Sequence, residues 1–335
     1  MQPIKQTLLS LLVPLSVVSF AIAADDSKPS RFVPAQVIDV GDGKLQCVQF
    51  SPDGKHVAAC GDKFVSMFDV ESGKLVRTFA GHAQDIFRLA FSPDGKYVAS
   101  GSRDQTVHIW HVATGEVAAV LKEPTDRVIG VNFSANSRYL AAGVANYDGS
   151  ILVWDCETWQ QVAEAQAPAQ SNAMFVAFSP DGDWLATGEY RGGVTLYRFD
   201  GKSLRVKHRK THDNGEMTPH VTFRPDSKAF LTSSWDRTIR LWDVDSGTEI
   251  WKRKTPPYAR CFETSLFSPD GSLLFTVTRD ETIQKRDGKT GRVLATRRWN
   301  DQVRGFAISP DGKTLATAGH VGVIKLWSIS QWDAP

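Results

Sequence analysis

At 335 residues, the chain is too long for one small core and about the length of one large repeat fold. Hydrophobic residues make up 41% and charged residues 23%, ordinary soluble usage that excludes a largely disordered chain. A formal net charge of +2 makes no whole-molecule case for nucleic-acid or membrane-surface binding, so a charge argument must rest on local clusters.

The first predicted element is N-terminal. Lys5 is the only charged side chain before an uncharged run over 7–23, TLLSLLVPLSVVSFAIA, which closes on Ala21-Ile22-Ala23. A basic start, an apolar middle and a small-x-small end is the layout of a cleaved secretory signal. A retained anchor needs about 20 apolar residues, whereas this run has 17 and contains Pro14. The expectation is a signal peptide over 1–23, a mobile leader over 24–34 and one domain over 35–335. The protein is then periplasmic or secreted, with no membrane span after cleavage. Cys47, Cys60, Cys156 and Cys261 include no CxxC pair. With no zinc spacing among them, no structural metal is expected and buried thiols are the simple reading. Cys47 and Cys60, across one hairpin, are expected about one diagonal step apart, which is marginal for a disulfide.

From residue 50 onward a six-residue phrase returns seven times: FSPDGK at 50 and 91, FSANSR at 133, FSPDGD at 178, FRPDSK at 223, FSPDGS at 267 and ISPDGK at 308. Successive copies start 41, 42, 45, 45, 44 and 41 residues apart. A period of about 40–45 is that of a four-stranded propeller blade. The phrase is a hairpin turn: Pro52 presets φ, Asp53 tolerates the second central position and Gly54 carries the backbone out. About 19 residues beyond each opening aromatic or Ile lies a second anchor: Phe68, Trp110, Trp154, Tyr197, Trp242, Arg286 and Trp327. Alternating strands such as Thr106–Trp110 precede it, and a Gly turn and another strand follow. No sustained helical period occurs. The fold class is therefore all-β: a seven-bladed propeller with four antiparallel strands per blade. The orphan strand over 36–40 would complete the last blade and protect its edge.

These phrases, with Gly81-His82 before the second copy, resemble the Trp-Asp-repeat (WD-repeat) propeller family, and the resemblance covers about 35–330. It implies a buried, hydrogen-bonded tetrad in the second blade: His82, Ser100 or Ser102, Asp104 and Trp110. In the fifth blade it offers Asp236 and Trp242, with His212 less clearly placed. Arg286 and Tyr197 depart from the pattern, so the sixth and fourth blades are expected to rely on apolar packing.

No nucleophile elbow, HExxH, phosphate loop or acid/His cluster appears, so no catalytic residue and no cofactor is expected. The Asp residues of the repeated phrase are explained by their turns rather than by calcium. What remains is surface. By the resemblance, loops from different blades meet around one channel mouth and bring Phe87, Arg103, Tyr147, Tyr190, Trp235, Arg279 and Arg304 together. Arginine with aromatics is the composition of protein-binding hot spots. The expectation is a non-catalytic binding scaffold, monomeric on its own, that docks a protein or peptide partner and no nucleic acid. A propeller hydrolase, lyase or oxidoreductase and an anionic-glycan or cell-wall module are the alternatives. The basic run Arg205–His212 is read as an outer strand with edge protection.

Overall fold

Each blade begins at its first hairpin. In the first, Gly54 N donates to Ser51 O at 2.9 Å, and Gly54 takes φ +71°. The Asp53 carboxylate accepts from Ser51 Oγ at 2.5 Å and Lys55 N at 3.0 Å, while Ser51 Oγ accepts from His56 N at 2.9 Å. The same serine–acid or serine–amide bond forms at Ser92/Asp94, Ser134/Asn136, Ser179/Asp181, Ser268/Asp270 and Ser309/Asp311. In the fifth blade Arg224 replaces the serine and donates from Nε to Asp226 at 2.9 Å. The Ser268 and Ser309 hydroxyls hold Asp270 and Asp311 below the usual carboxylate range. These carboxylates are thus engaged by their own turns. Ser137 and Ser227 replace the turn glycine and keep φ at +59°. Their hydroxyls accept from Asp94 N at 2.9 Å and Asp181 N at 3.0 Å of the preceding blade, which offsets some of the strain.

The structure, a computed structural model, describes residues 33–332 apart from 42, 146–148, 168–170, 256–261, 279–281 and 299–302. The expected signal peptide and the leader through residue 32 lie outside the described residues. Seven sheets of four antiparallel strands form the propeller. Blade 1 runs through Cys47–Phe50, His56–Cys60, Phe64–Asp69 and Leu75–Ala80, and blades 2 to 6 repeat that order from inner to outer strand. Blade 7 takes three strands from Val303–Ile308, Thr314–Gly319 and Val323–Ser328, and its outer strand is Gln36–Asp39. No helix among the described residues is long and apolar enough to cross a membrane.

The hydrophobic cores lie between blades. One cluster joins Val107 and Ile109 of blade 2 to Val128, Leu140 and Trp154 of blade 3. Both faces of the inner three strands are therefore covered, and Ser150–Asp155 is buried at every position. The outer strands differ: Leu75–Ala80 is exposed at Leu75, Val76, Thr78 and Ala80.

Outer strands also lock onto the next blade. Arg77 donates to Thr114 O at 2.6 Å and Ala113 O at 2.9 Å, His208 Nε2 lies 2.9 Å from Asp245 O, and Trp251 Nε1 donates to Lys289 O at 2.9 Å. The turn glycines Gly115, Gly247 and Gly291 lie beneath these side chains, where an added Cβ would come within 2.7–2.9 Å of them. Positive φ and close approach both require glycine there.

Closure uses the same lock. Gln36 pairs with Leu326 and Ile38 with Ile324. The Gln36 amide, oriented so that both its groups are satisfied, donates to Val70 O at 2.7 Å and accepts from Gly73 N at 3.1 Å. Ile38, 2% exposed, fills the core between blades 7 and 1. Ile38→Ala is expected to cost about 2–5 kcal/mol in urea unfolding. Deleting 36–39 is expected to give protein that aggregates in size-exclusion chromatography, because the edge of Val323–Ser328 is then unpaired. A deleted protein that stays monomeric and melts normally would show that the ring closes another way.

Candidate functional site

At one end of the ring, the turn after the second strand is tied to the loop before the first strand of the same blade. Arg103 N donates to Asp85 O at 2.9 Å, Tyr190 N to Asn172 O at 3.1 Å and Trp235 N to Met217 O at 2.9 Å. Arg103, Tyr190 and Trp235 thus hold equivalent positions in blades 2, 4 and 5. Phe87 and Arg304 sit at β-bulges that open their inner strands. The register passes from Ile86↔Ser102 to Arg88↔Gly101 and from Val303↔Gly319 to Gly305↔Ala318. Similar shifts occur after Val128, Ala173 and Phe262. A bulge leaves one residue out of the ladder and re-aims its side chain. Arg304 is exposed, with Nε 2.8 Å from His320 Nε2. Tyr190 is 53% exposed, Arg103 is exposed, and Phe87 and Trp235 are half-buried. Tyr147 and Arg279 lie outside the described residues. The same end carries Phe64 and Val321, 48% and 58% exposed. Neither belongs to the repeated motifs. An apolar residue in a polar turn was the available signal.

Blade 2 contains the expected His–Ser–Asp chain. His82 Nδ1 lies 2.8 Å from Asp104 Oδ2, and its Nε2 lies 2.8 Å from Ser100 Oγ. Ser102 instead donates to the Gln84 and Asp85 carbonyls. Trp110 packs edge-on against the His82 ring at 5.9 Å, but its buried Nε1 has no hydrogen-bond partner. The four-membered chain is complete in blade 5. There His212 Nδ1 is 3.1 Å from Asp236 Oδ2, His212 Nε2 is 2.7 Å from Thr232 Oγ1, and Trp242 Nε1 donates to Thr232 Oγ1 at 2.9 Å.

The expectation that blades 4 and 6 rely on apolar packing needs correction, because both carry buried polar networks. Arg286 occupies the Trp position of blade 6 at 2% exposure. It donates to Thr276 Oγ1 at 3.2 Å, Gly291 O at 2.8 Å and Gln284 Oε1 at 2.6 Å, and burial lowers its pKa to about 10. In blade 4 the Glu189 carboxylate accepts from Thr195 Oγ1 at 2.7 Å and Ser171 Oγ at 2.8 Å, while burial raises its pKa. A missing turn Asp gave no sign that a strand Glu supplies the charge.

Beneath the loop face, Cys47 is directly opposite Cys60 rather than one diagonal step away. Gln46 N and the ladder both engage this position, with Gln46 N donating to Cys60 O at 2.7 Å. Both cysteines and Cys156 are buried free thiols, and Cys261 lies outside the described residues. The Cys60 thiol and the Arg88 guanidinium hold Cys47 below the usual thiol range. Arg88 Cζ in turn stands 4.9 Å from the Phe175 ring centroid.

A family profile described as the IFT122 first beta-propeller matches residues 44–266, and one described as a WD domain, G-beta repeat, matches 291–328. The chain belongs to the WD-repeat β-propeller family. It is 27% identical over 228 residues to the Protein LST8 homolog of Drosophila melanogaster, covering 65% of this chain and 69% of that one. It is 26% identical over 241 residues to Periodic tryptophan protein 2 of Arabidopsis thaliana, covering 71% of this chain and 26% of that one. Over 310 residues it is 22% identical to the Intraflagellar transport protein 122 homolog of Danio rerio, covering 89% and 25%. This WD-repeat chain spans about a quarter of the length of the periodic tryptophan relative.

Within this WD-repeat propeller, His82, Asp104 and His108 bring three metal-capable donors within 4.8 Å. Both His82 nitrogens are already engaged by Asp104 and Ser100, so a cation there would have to break the tetrad. The cluster has a consequence for stability. Burial, then His82, lowers the His108 pKa to about 4, and burial, then Arg88, lowers that of His220 to about 3. His82 and His212 are also lowered, chiefly by burial. The unfolded chain takes up these protons near pH 6.5 and the folded chain only at lower pH. The stabilisation is therefore full above about pH 6.5 and is lost as pH falls. Glu189, raised by burial, works in the opposite sense. At pH 5 each of His108 and His220 is expected to cost about 2 kcal/mol. Urea midpoints at pH 7.5 and 5 test this, with His108→Gln narrowing the difference. Equal midpoints would mean that these histidines titrate normally.

Proposed function

We propose that this WD-repeat propeller is a non-catalytic binding scaffold that docks a protein or peptide partner on its loop face. The observation that carries the reading is the recurrence of arginine and aromatic side chains at equivalent loops of separate blades. Arg103, Tyr190 and Trp235 come from blades 2, 4 and 5, and Phe87 and Arg304 from bulges of blades 2 and 7. Exposed Phe64 and Val321 extend the apolar part of this face. A central aromatic within a polar rim is the arrangement that concentrates binding energy. The relatives agree in kind: one is the Target of rapamycin complex subunit wat1 of Schizosaccharomyces pombe, 25% identical over 231 residues, a subunit of a complex by name.

Truncating a central hot-spot residue costs at least about 2 kcal/mol of binding. Trp235→Ala and Tyr190→Ala are therefore expected to weaken partner capture from the cell-envelope fraction strongly while leaving the melting curve in place. Lys202→Ala, in an outer turn, serves as the control. Equal capture by all three variants would place docking elsewhere.

The proposed site of action is outside the cytoplasm, as a periplasmic or secreted protein. The support is the uncharged run over 7–23 that ends on Ala21-Ile22-Ala23. Exported protein is expected to begin at Ala24, with an intact mass lacking residues 1–23. Protein that keeps Met1 and fractionates with membranes would make the segment an anchor.

A further inference from the structure

The ring axis holds a cavity of about 430 Å³ lined by inner strands of all seven blades. This is the size of a small-molecule site. It reaches from Cys47 at the loop end to Pro180 in the first hairpin turn of blade 4. Arg88 dominates the cavity. It rises from blade 2, lies beside Cys47 of blade 1 and stacks over Phe175 of blade 4 at 4.9 Å. It is also close enough to His220 of blade 5 to disfavour protonation of that ring. No carboxylate lines the cavity among the described residues, and Arg88 forms no ion pair with any of them.

A second polar group faces the same space. His220 lines the same cavity, and its buried Nδ1 has no hydrogen-bond partner. Buried polar groups ordinarily find partners, and an unpaired one costs stability. Here a half-buried guanidinium with no carboxylate beside it and an unpartnered buried imidazole nitrogen, from different blades, share one cavity. Gln49 and Thr222 add polar side chains to the lining, and Phe175 adds an apolar wall.

We infer that the channel is a binding site for an organic carboxylate, with its two oxygens on the Arg88 guanidinium and its body against Phe175 and His220. The planar fork of arginine matches a carboxylate in bidentate fashion. The lining supplies one cation and a neutral imidazole, so a singly charged ligand is balanced. A phosphate dianion would leave a charge uncompensated. The carboxylate could belong to a free small acid or to the C-terminus of a peptide. The chemistry at Arg88 is the same for both.

Calorimetric titration of the folded propeller tests the site. The probes are benzoate, N-acetyl-trialanine as the acid, the same peptide as its amide, and inorganic phosphate. Binding of benzoate or the peptide acid, with the amide and phosphate at least about tenfold weaker, supports the inference. The tighter of the two acids then tells a free ligand from a chain end. Arg88→Gln is expected to abolish binding. Arg88→Lys keeps the charge without the fork and is expected to weaken binding about tenfold. Arg88→Lys also serves if the glutamine variant does not fold. Trp235→Ala, on the loop face, is expected to bind the acids like the unsubstituted protein, which separates this site from partner docking. No heat with either acid at millimolar concentrations, phosphate binding tighter than both acids, or unchanged binding in the folded Arg88 variants would overturn the assignment.

Discussion

Burial of each blade on both sides by its neighbours is the constraint on which this propeller depends. The apolar clusters are shared between blades, as between blades 2 and 3 and between blades 7 and 1. No blade can therefore bury its inner strands alone, and the ring must close. Short outer-strand locks reinforce the shared cores. Arg77, His208, Trp251 and Gln36 each reach the next blade's turn. In all four of these turns a glycine gives the side chain room at positive φ. The ring is held by packing within and by repeated polar contacts near the rim.

The same constraint explains the buried polar chains. In a strand with one wet face, every second residue can be polar at little cost. Here those positions meet the next blade, so His108, Arg240, Gln284 and Arg286 are all buried. Each needs a partner, because a stranded donor or acceptor costs about 1–3 kcal/mol. The hydroxyl on the second strand is the common answer. Thr232 serves Trp242, Thr317 serves Trp327, and Thr276 serves Arg286. Where Ala142 removes the hydroxyl, Trp154 Nε1 is left without a partner. The blades thus share one geometry while using different chemistry to satisfy it.

This explains what the sequence could and could not disclose. Blade number, strand order and the closing strand were legible, because the Ser-Pro-Asp-Gly turn is a local device that repeats wherever a hairpin is needed. The roles of Arg286 and Glu189 were not legible. Both depart from the motif, and their partners are set by burial that arises only after neighbouring blades pack. The cysteine register shows a similar limit. The geometry of the hairpin turn decides whether Cys47 and Cys60 face each other, and it is not visible as a residue preference. The loop face was partly legible: Arg103, Tyr190 and Trp235 follow from turn position, whereas Phe64 and Val321 carry no motif. Arg88 carries no motif of its own and lies one residue along from Phe87, the bulged position.

That one-residue difference links fold to function. The inner strand must be regular along most of its length to be buried between two blades, yet a regular strand would point its first residues into those same interfaces. The bulge resolves the conflict at the end of the strand. At Phe87 and Arg304 it takes one residue out of the ladder, while the next residue resumes the buried register, as Arg88 and Gly305 do. Gly305 has backbone of blade 1 where a Cβ would stand, at 2.6 Å from Val48 N. Arg88 meets open channel and extends across it to Phe175. Adjacent residues are thereby committed to different surfaces, one to the outer loop face and one to the axial cavity. Substitution on the face can change what docks there without moving the channel. The shared bulge still sets the distance between the two surfaces, so a ligand in the channel and a partner on the face would be held in fixed relation by the backbone of a single strand.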